Sequence, residues 1–64
     1  MKFKEHDVVK VITEQNAQIK KGAVGTVIIA FKEPQEAYEV EFLDGEGKTR
    51  AQVTLLPHEI EKNS

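Results

Sequence analysis

The sequence predicts an all-β fold: a small barrel of about five antiparallel strands with a short helical turn before the last one. Three observations carry that reading. Apolar residues alternate with polar ones at a period of two, most clearly in Ala37-Tyr38-Glu39-Val40-Glu41-Phe42-Leu43. The apolar segments are short and rich in β-branched residues, as in Val8-Val9-Lys10-Val11-Ile12. Turn-forming clusters separate them: Lys21-Gly22, the Pro34 segment over 32–36, and Asp44-Gly45-Glu46-Gly47.

Taken in order, Asp7 to Ile12 forms the first strand, with Val9 and Val11 toward the core and Val8 and Ile12 on the other side. Thr13 to Gln18 is polar and reads as a loop, after which Ile19 folds back as a plug over the barrel mouth. Lys21-Gly22 is a turn, because glycine takes positive φ without a Cβ penalty. Val24 and Val27 follow on the second strand, and strict alternation cannot face both inward. An extra residue at Gly25, as a bulge or sharp bend, brings both to the core. Val27, Ile29 and Phe31 then share the inner face, and Thr26, Ile28 and Ala30 the outer one.

The third strand turns Tyr38, Val40 and Phe42 inward and Glu39 and Glu41 outward. Asp44 and Gly45 open a hairpin turn that admits two registers. A loop over 44–47 sets Glu41 opposite Arg50, Val40 opposite Ala51 and Tyr38 opposite Val53. A turn of Asp44-Gly45 alone sets Glu41 opposite Lys48, Glu39 opposite Arg50 and Tyr38 opposite Ala51. Both place carboxylate across from cation and apolar across from apolar. Thr49 to Leu56 is the fourth strand, with Ala51, Val53 and Leu55 inward. Pro57 to Ile60 makes one tight helical turn, and Glu61-Lys62 a very short fifth strand beside the first. This layout is that of an SH3-like barrel forming a single domain over 1–64.

Composition narrows the function. The chain has 64 residues, no cysteine and a net charge of −2. That leaves no disulfide or thiolate metal site and none of the basic excess expected of a compact nucleic-acid binder. The longest apolar run, Val27 to Phe31, is too short for a membrane span, and Met1 to His6 leads into no apolar signal segment, so the expected location is cytoplasmic. His6 and His58 are the only histidines; their spacing fits no metal motif, and they read as surface residues. Glu39 and Glu41 share a strand face, as paired catalytic carboxylates would, but a barrel this small has a filled interior. They read as a solvated stripe paired with Lys48 and Arg50. Lys10, Lys20, Lys21 and Lys32 suggest a basic edge near the first loop, offset by Glu14, Glu33 and Glu36. Gly22 and Gly25 run into a strand rather than a helix, so they form a structural turn and not a phosphate loop. No catalytic residue, cofactor or metal is predicted. Val8, Ile12, Ile28 and Leu56, apolar on outward positions, together with Lys20, are the candidate partner surface.

The segments Asp7-Val8-Val9, Lys21-Gly22-Ala23-Val24-Gly25-Thr26-Val27, Ala37-Tyr38-Glu39-Val40-Glu41-Phe42 and Gln52-Val53-Thr54-Leu55 resemble the small bacterial family catalogued as domain of unknown function 4926. The resemblance spans roughly residues 3–62. It implies a free-standing small domain, common in cyanobacteria and other bacteria and sometimes encoded near toxin-like genes. More distantly, Gly22 to Val27 is similar to the KOW motif, and to the barrels of the photosystem I ferredoxin-docking subunit, the variable chain of ferredoxin–thioredoxin reductase and the nitrile hydratase beta subunit. The function expected is a non-catalytic protein-binding module, antitoxin-like or accessory. Its partner would be another protein, such as a neighbouring gene product, or a second copy in a homodimer. The alternatives are a KOW-like RNA- or ribosome-associated module and an accessory subunit of a redox or hydratase complex. The charge balance argues against nucleic acid.

Overall fold

The structure is a computed structural model that describes residues 1–16 and 19–63; Ala17 and Gln18, in the expected polar loop, lie outside the described residues. The chain forms β1 (Val8–Val11), β2 (Val24–Phe31), β3 (Ala37–Leu43), β4 (Thr49–Leu55), one 3-10 turn (Pro57–Glu59) and β5 (Ile60–Lys62). All five strands belong to one antiparallel sheet in the order β4-β3-β2-β1-β5. The chain therefore meanders through four strands and returns beside the first, the all-β arrangement the sequence predicts.

The sheet curls around one core. Val9, Val11, Ile19, Val27, Tyr38, Val40, Phe42, Leu55 and Ile60 are fully buried in it. Ile19 is held there by Asn16, whose side-chain oxygen accepts the Ile19 N–H at 3.0 Å while its own N–H donates to the Ile19 carbonyl at 3.1 Å. Phe3, in a segment with no strand pattern, is also in the core. Its ring meets Tyr38 edge-on at 5.2 Å, and its N–H donates to the Tyr38 hydroxyl oxygen at 3.1 Å. The Tyr38 hydroxyl donates in turn to Glu36, which also accepts the Lys2 N–H at 2.9 Å. A phenol thus ties the N-terminal segment to the start of β3.

Two expectations are corrected. The first is the bulge in β2. It lies not at Gly25 but at Ile28: Val27 pairs with Val40 and Ile29 already pairs with Glu39, so two steps on β2 match one on β3. The extra residue reverses the alternation. Ala30 turns inward, while Ile29 and Phe31, expected inside, lie on the outer face. Val24, also expected inside, is 48% exposed. Gly25 is neither a turn nor a bulge but a regular β2 residue paired with Val9, buried where Val40, Glu41 and Phe42 of the neighbouring β3 crowd it.

The second correction concerns the β3–β4 register, which matches neither predicted alternative. Tyr38 faces Leu55, Val40 faces Val53, Phe42 faces Ala51 and Leu43 faces Thr49, with an irregularity at Arg50. The loop closes one residue later, by the Asp44 N–H donating to the Lys48 carbonyl at 2.8 Å. The Asp44 carboxylate organises the turn, accepting the N–H groups of Glu46 and Lys48 at 2.8 and 3.0 Å. Gly47, not Gly45, takes the positive φ of 83°. Gly22 also takes positive φ, +96°, at the turn into β2.

Candidate protein-docking face

The outer face of the sheet can be read from the register row by row. One row runs Val8, Thr26, Glu41, Gln52 across β1 to β4. The next runs Glu61, Lys10, Val24, and continuing the β2–β3 register one step beyond Thr26 and Glu41 brings Leu43 alongside Val24. Beyond the bulge lie the rows Ile29, Glu39, Thr54 and Phe31, Ala37. Six large apolar residues are exposed among the described residues, and five of them, Val8, Val24, Ile29, Phe31 and Leu43, fall on this one face. They follow the length of β2, roughly 23 Å at ~3.3 Å per residue, with Val8 and Leu43 flanking it on either side.

Polar groups frame this stripe. Lys10 pairs with Glu61 at 3.5 Å. Glu39 accepts the Thr54 hydroxyl and Glu41 the Thr49 hydroxyl, each at 2.6 Å. The expected pairing of these carboxylates with Lys48 and Arg50 does not occur, because the register brings threonines across from them or beside them instead. The ion pairs among the described residues are Lys10–Glu61 and Lys62–Asp7.

The sequence-derived partner set is divided by the fold. Val8 is 40% exposed, and Ile28 is half-buried two residues beyond Thr26, the partner of Val8. Ile12, Lys20 and Leu56 gather at the other end of β1. There Ile12 donates its N–H to the Glu59 carbonyl at 2.9 Å, and Gly22 donates to the Val11 carbonyl at 2.7 Å. Ile12 and Leu56 are half-buried and Lys20 is exposed. The sequence reading missed Val24, Ile29, Phe31 and Leu43, since three of these hinge on the position of the bulge.

Other candidates are also dispersed. His6 sits beside Val27, to whose carbonyl its N–H donates, whereas His58 lies in the 3-10 turn at the opposite end of β1, so the two do not meet. Among the described residues no group of three or more His, Asp or Glu side chains could hold a metal. Lys20 and Lys21 precede β2 and Lys32 follows it, so the lysines do not share one edge. At the 3-10 turn Glu59 folds back on its own start: its N–H donates to the Leu56 carbonyl at 3.0 Å and its carboxylate accepts the Leu56 N–H at 2.8 Å. That backbone bond, with a further one from Gln15 at 3.2 Å, holds the Glu59 carboxyl below the usual range. The Tyr38 hydroxyl and the Lys2 N–H lower Glu36 in the same way, while burial, and then Glu36, push the Tyr38 phenol up.

These features define a small, barrel-like, all-β domain with an apolar outer stripe. Residues 5–62 match the family described as Domain of unknown function (DUF4926), and the chain belongs to that family. No curated protein and no solved structure matches the chain. No helix among the described residues is long and apolar enough to cross a membrane.

Proposed function

We propose that this domain is a non-catalytic protein-binding module that docks its partner on the outer face of β1, β2 and β3. The single observation supporting the reading is the concentration of five exposed apolar side chains on that face. Fully burying one such side chain is worth roughly 1.5–3 kcal/mol, so leaving several in water is a cost that a docked partner removes. Contiguous apolar surface rimmed by polar groups marks interaction sites. The setting that belongs to this reading is the bacterial cytoplasm, with the product of a neighbouring gene as partner in an antitoxin- or immunity-like role.

Co-expression with that neighbouring product, followed by affinity capture, tests it. The native chain is expected to retain the product stoichiometrically, and Val24→Asp combined with Ile29→Asp to lose it while remaining folded. Retention by the double variant refutes the docking face. Capture of RNA that is released by rising salt, in place of a protein, refutes the reading as a whole.

A further inference from the structure

The sheet is left open at β4. Its order ends there, and β4 pairs on one side only, with β3. Beyond the ladder with β3, no β4 residue takes part in a backbone hydrogen bond among the described residues. The opposite edge is the three-residue β5, whereas β4 is seven residues long. Long bare edges template pairing with another strand. The core also thins here. On the inner face of β3, Val40 and Phe42 are 0% and 1% exposed, while Val53 and Ala51, their partners on β4, are only half-buried.

The residues of β4 specify what fits. Arg50-Ala51-Gln52-Val53-Thr54 overlaps an antiparallel copy of itself when Gln52 faces Gln52; the irregularity at Arg50, which leaves Thr49 on the outer face beside Glu41, ends the ladder there. In that register Ala51 meets Val53 of the second copy on the inner side. On the outer side Arg50 meets Thr54 of the second copy, whose neighbour on β3 is Glu39. Arg50 is the only charged residue of β4 and has no ion-pair partner among the described residues; Glu39 holds only the Thr54 hydroxyl. We propose that the chain forms a two-fold dimer by antiparallel pairing of β4 edges, with Arg50 of each copy reaching across Thr54 to Glu39 of the other. Strands lie ~4.8 Å apart, so Arg50 and Glu39 are two spacings, about 10 Å, from each other at the backbone, a span that an extended arginine and glutamate cover together. Pro57, with no N–H to give, ends the pairing just beyond the strand. The interface uses the edge and leaves the β2 stripe open, so it stands apart from the docking reading.

Sedimentation velocity at rising protein concentration tests the proposal, with amide NMR spectra checking that each variant is folded. The native chain is expected to show a monomer–dimer equilibrium. Arg50→Glu and Glu39→Arg are each expected to weaken it about tenfold or more, because the two-fold axis repeats every like-charge contact. Combined, they are expected to restore dimerisation. Within one copy Thr54, beside Glu39, is four residues from Arg50, about 13 Å along the strand, so the rescue reports on the contact between copies. A native chain that stays monomeric overturns the proposal. So does a dimer indifferent to both single reversals, or one lost in Val24→Asp/Ile29→Asp but kept in Arg50→Glu. Capture of a neighbouring gene product by the Arg50→Glu chain keeps the docking reading separate from this one.

Discussion

Gly25→Ala tests a close approach within the sheet. Gly25 lies between β1, where it pairs with Val9, and β3, its neighbour on the other side in the sheet. A Cβ placed there would stand 2.7 Å from the Glu41 carbonyl oxygen, 2.7 Å from Val40 Cγ1 and 2.8 Å from Phe42 Cδ1, against the 3.4 Å at which ordinary contact begins. None of the three can yield cheaply. The carbonyl belongs to a central strand, and Val40 and Phe42 are core side chains with no room to swing away. Overpacking of this kind costs ~1–3 kcal/mol, and several simultaneous clashes place it at the upper end. Alanine returns ~0.4–1 kcal/mol by restricting the unfolded chain. The net loss is about 2 kcal/mol, which in a domain of this size lowers the melting temperature by roughly 8–16 °C.

Thermal unfolding followed by circular dichroism reads this loss directly. Gly45→Ala is the control, since a Cβ there meets nothing within 4 Å. It is expected to stay within ~0.5 kcal/mol of the native chain. A Gly25→Ala chain that melts with the control would refute the close-approach argument. A bulge at Gly25, as the sequence suggests, would make the penalty conformational; the structure makes it steric and predicts that a single methyl suffices.

Three further outcomes follow from the same contacts. Ile29→Ala and Phe31→Ala should each cost about 1 kcal/mol or less and Val27→Ala about 2 kcal/mol or more in urea unfolding, and costs as large at Ile29 and Phe31 as at Val27 would return the bulge to Gly25. Tyr38→Phe removes the acceptor of the buried Phe3 N–H and should cost ~1–3 kcal/mol, with hydrogen exchange at the Phe3 amide accelerating more than at β2 amides; unchanged exchange there would refute the tether. Glu59 has a lowered carboxyl pKa, so its contribution is fully present above the usual carboxylate range and is lost as pH falls through the depressed folded value. The stability gap between the native chain and Glu59→Gln should therefore shrink on acidification below about pH 4, and a gap independent of pH would refute the carboxylate's role.

The legible parts of the fold were those set by local chemistry. β3 was readable because its alternation is unbroken, and the Pro57 turn because proline presets the first φ. Val9, Val11 and Ile19 followed from apolar identity in polar surroundings. Three things were hidden. Phe3 joins the core through its contacts with Tyr38, 35 residues away, which no local pattern reports. The hairpin register depended on an extra residue at Arg50, and charge pairing was a weak guide because exposed pairs contribute little, ~0–1 kcal/mol. The bulge in β2 had two candidate positions. Glycine drew attention to the wrong one, since Gly25 exists for space and not for conformation.

That misplaced bulge is what concealed the candidate docking face. On β2 the inward positions include Gly25 and Ala30, two of its smallest residues, while Val24, Ile29 and Phe31 face outward. The strand is sorted against the usual rule of large apolar residues inside. Its inner surface has to be thin at Gly25, where the Glu41 carbonyl and the Val40 and Phe42 side chains of the neighbouring β3 leave no room for a Cβ. Nothing about that thin inner surface requires the outward positions to be apolar: threonine at Thr26 and the carboxylates of Glu39 and Glu41 occupy neighbouring sites on the same face. Isoleucine and phenylalanine at outward positions therefore add little to the stability of the isolated domain. They become favourable when something covers them, which is why the β2 stripe, and not the Lys21-Gly22 turn, is the place where a partner should be sought.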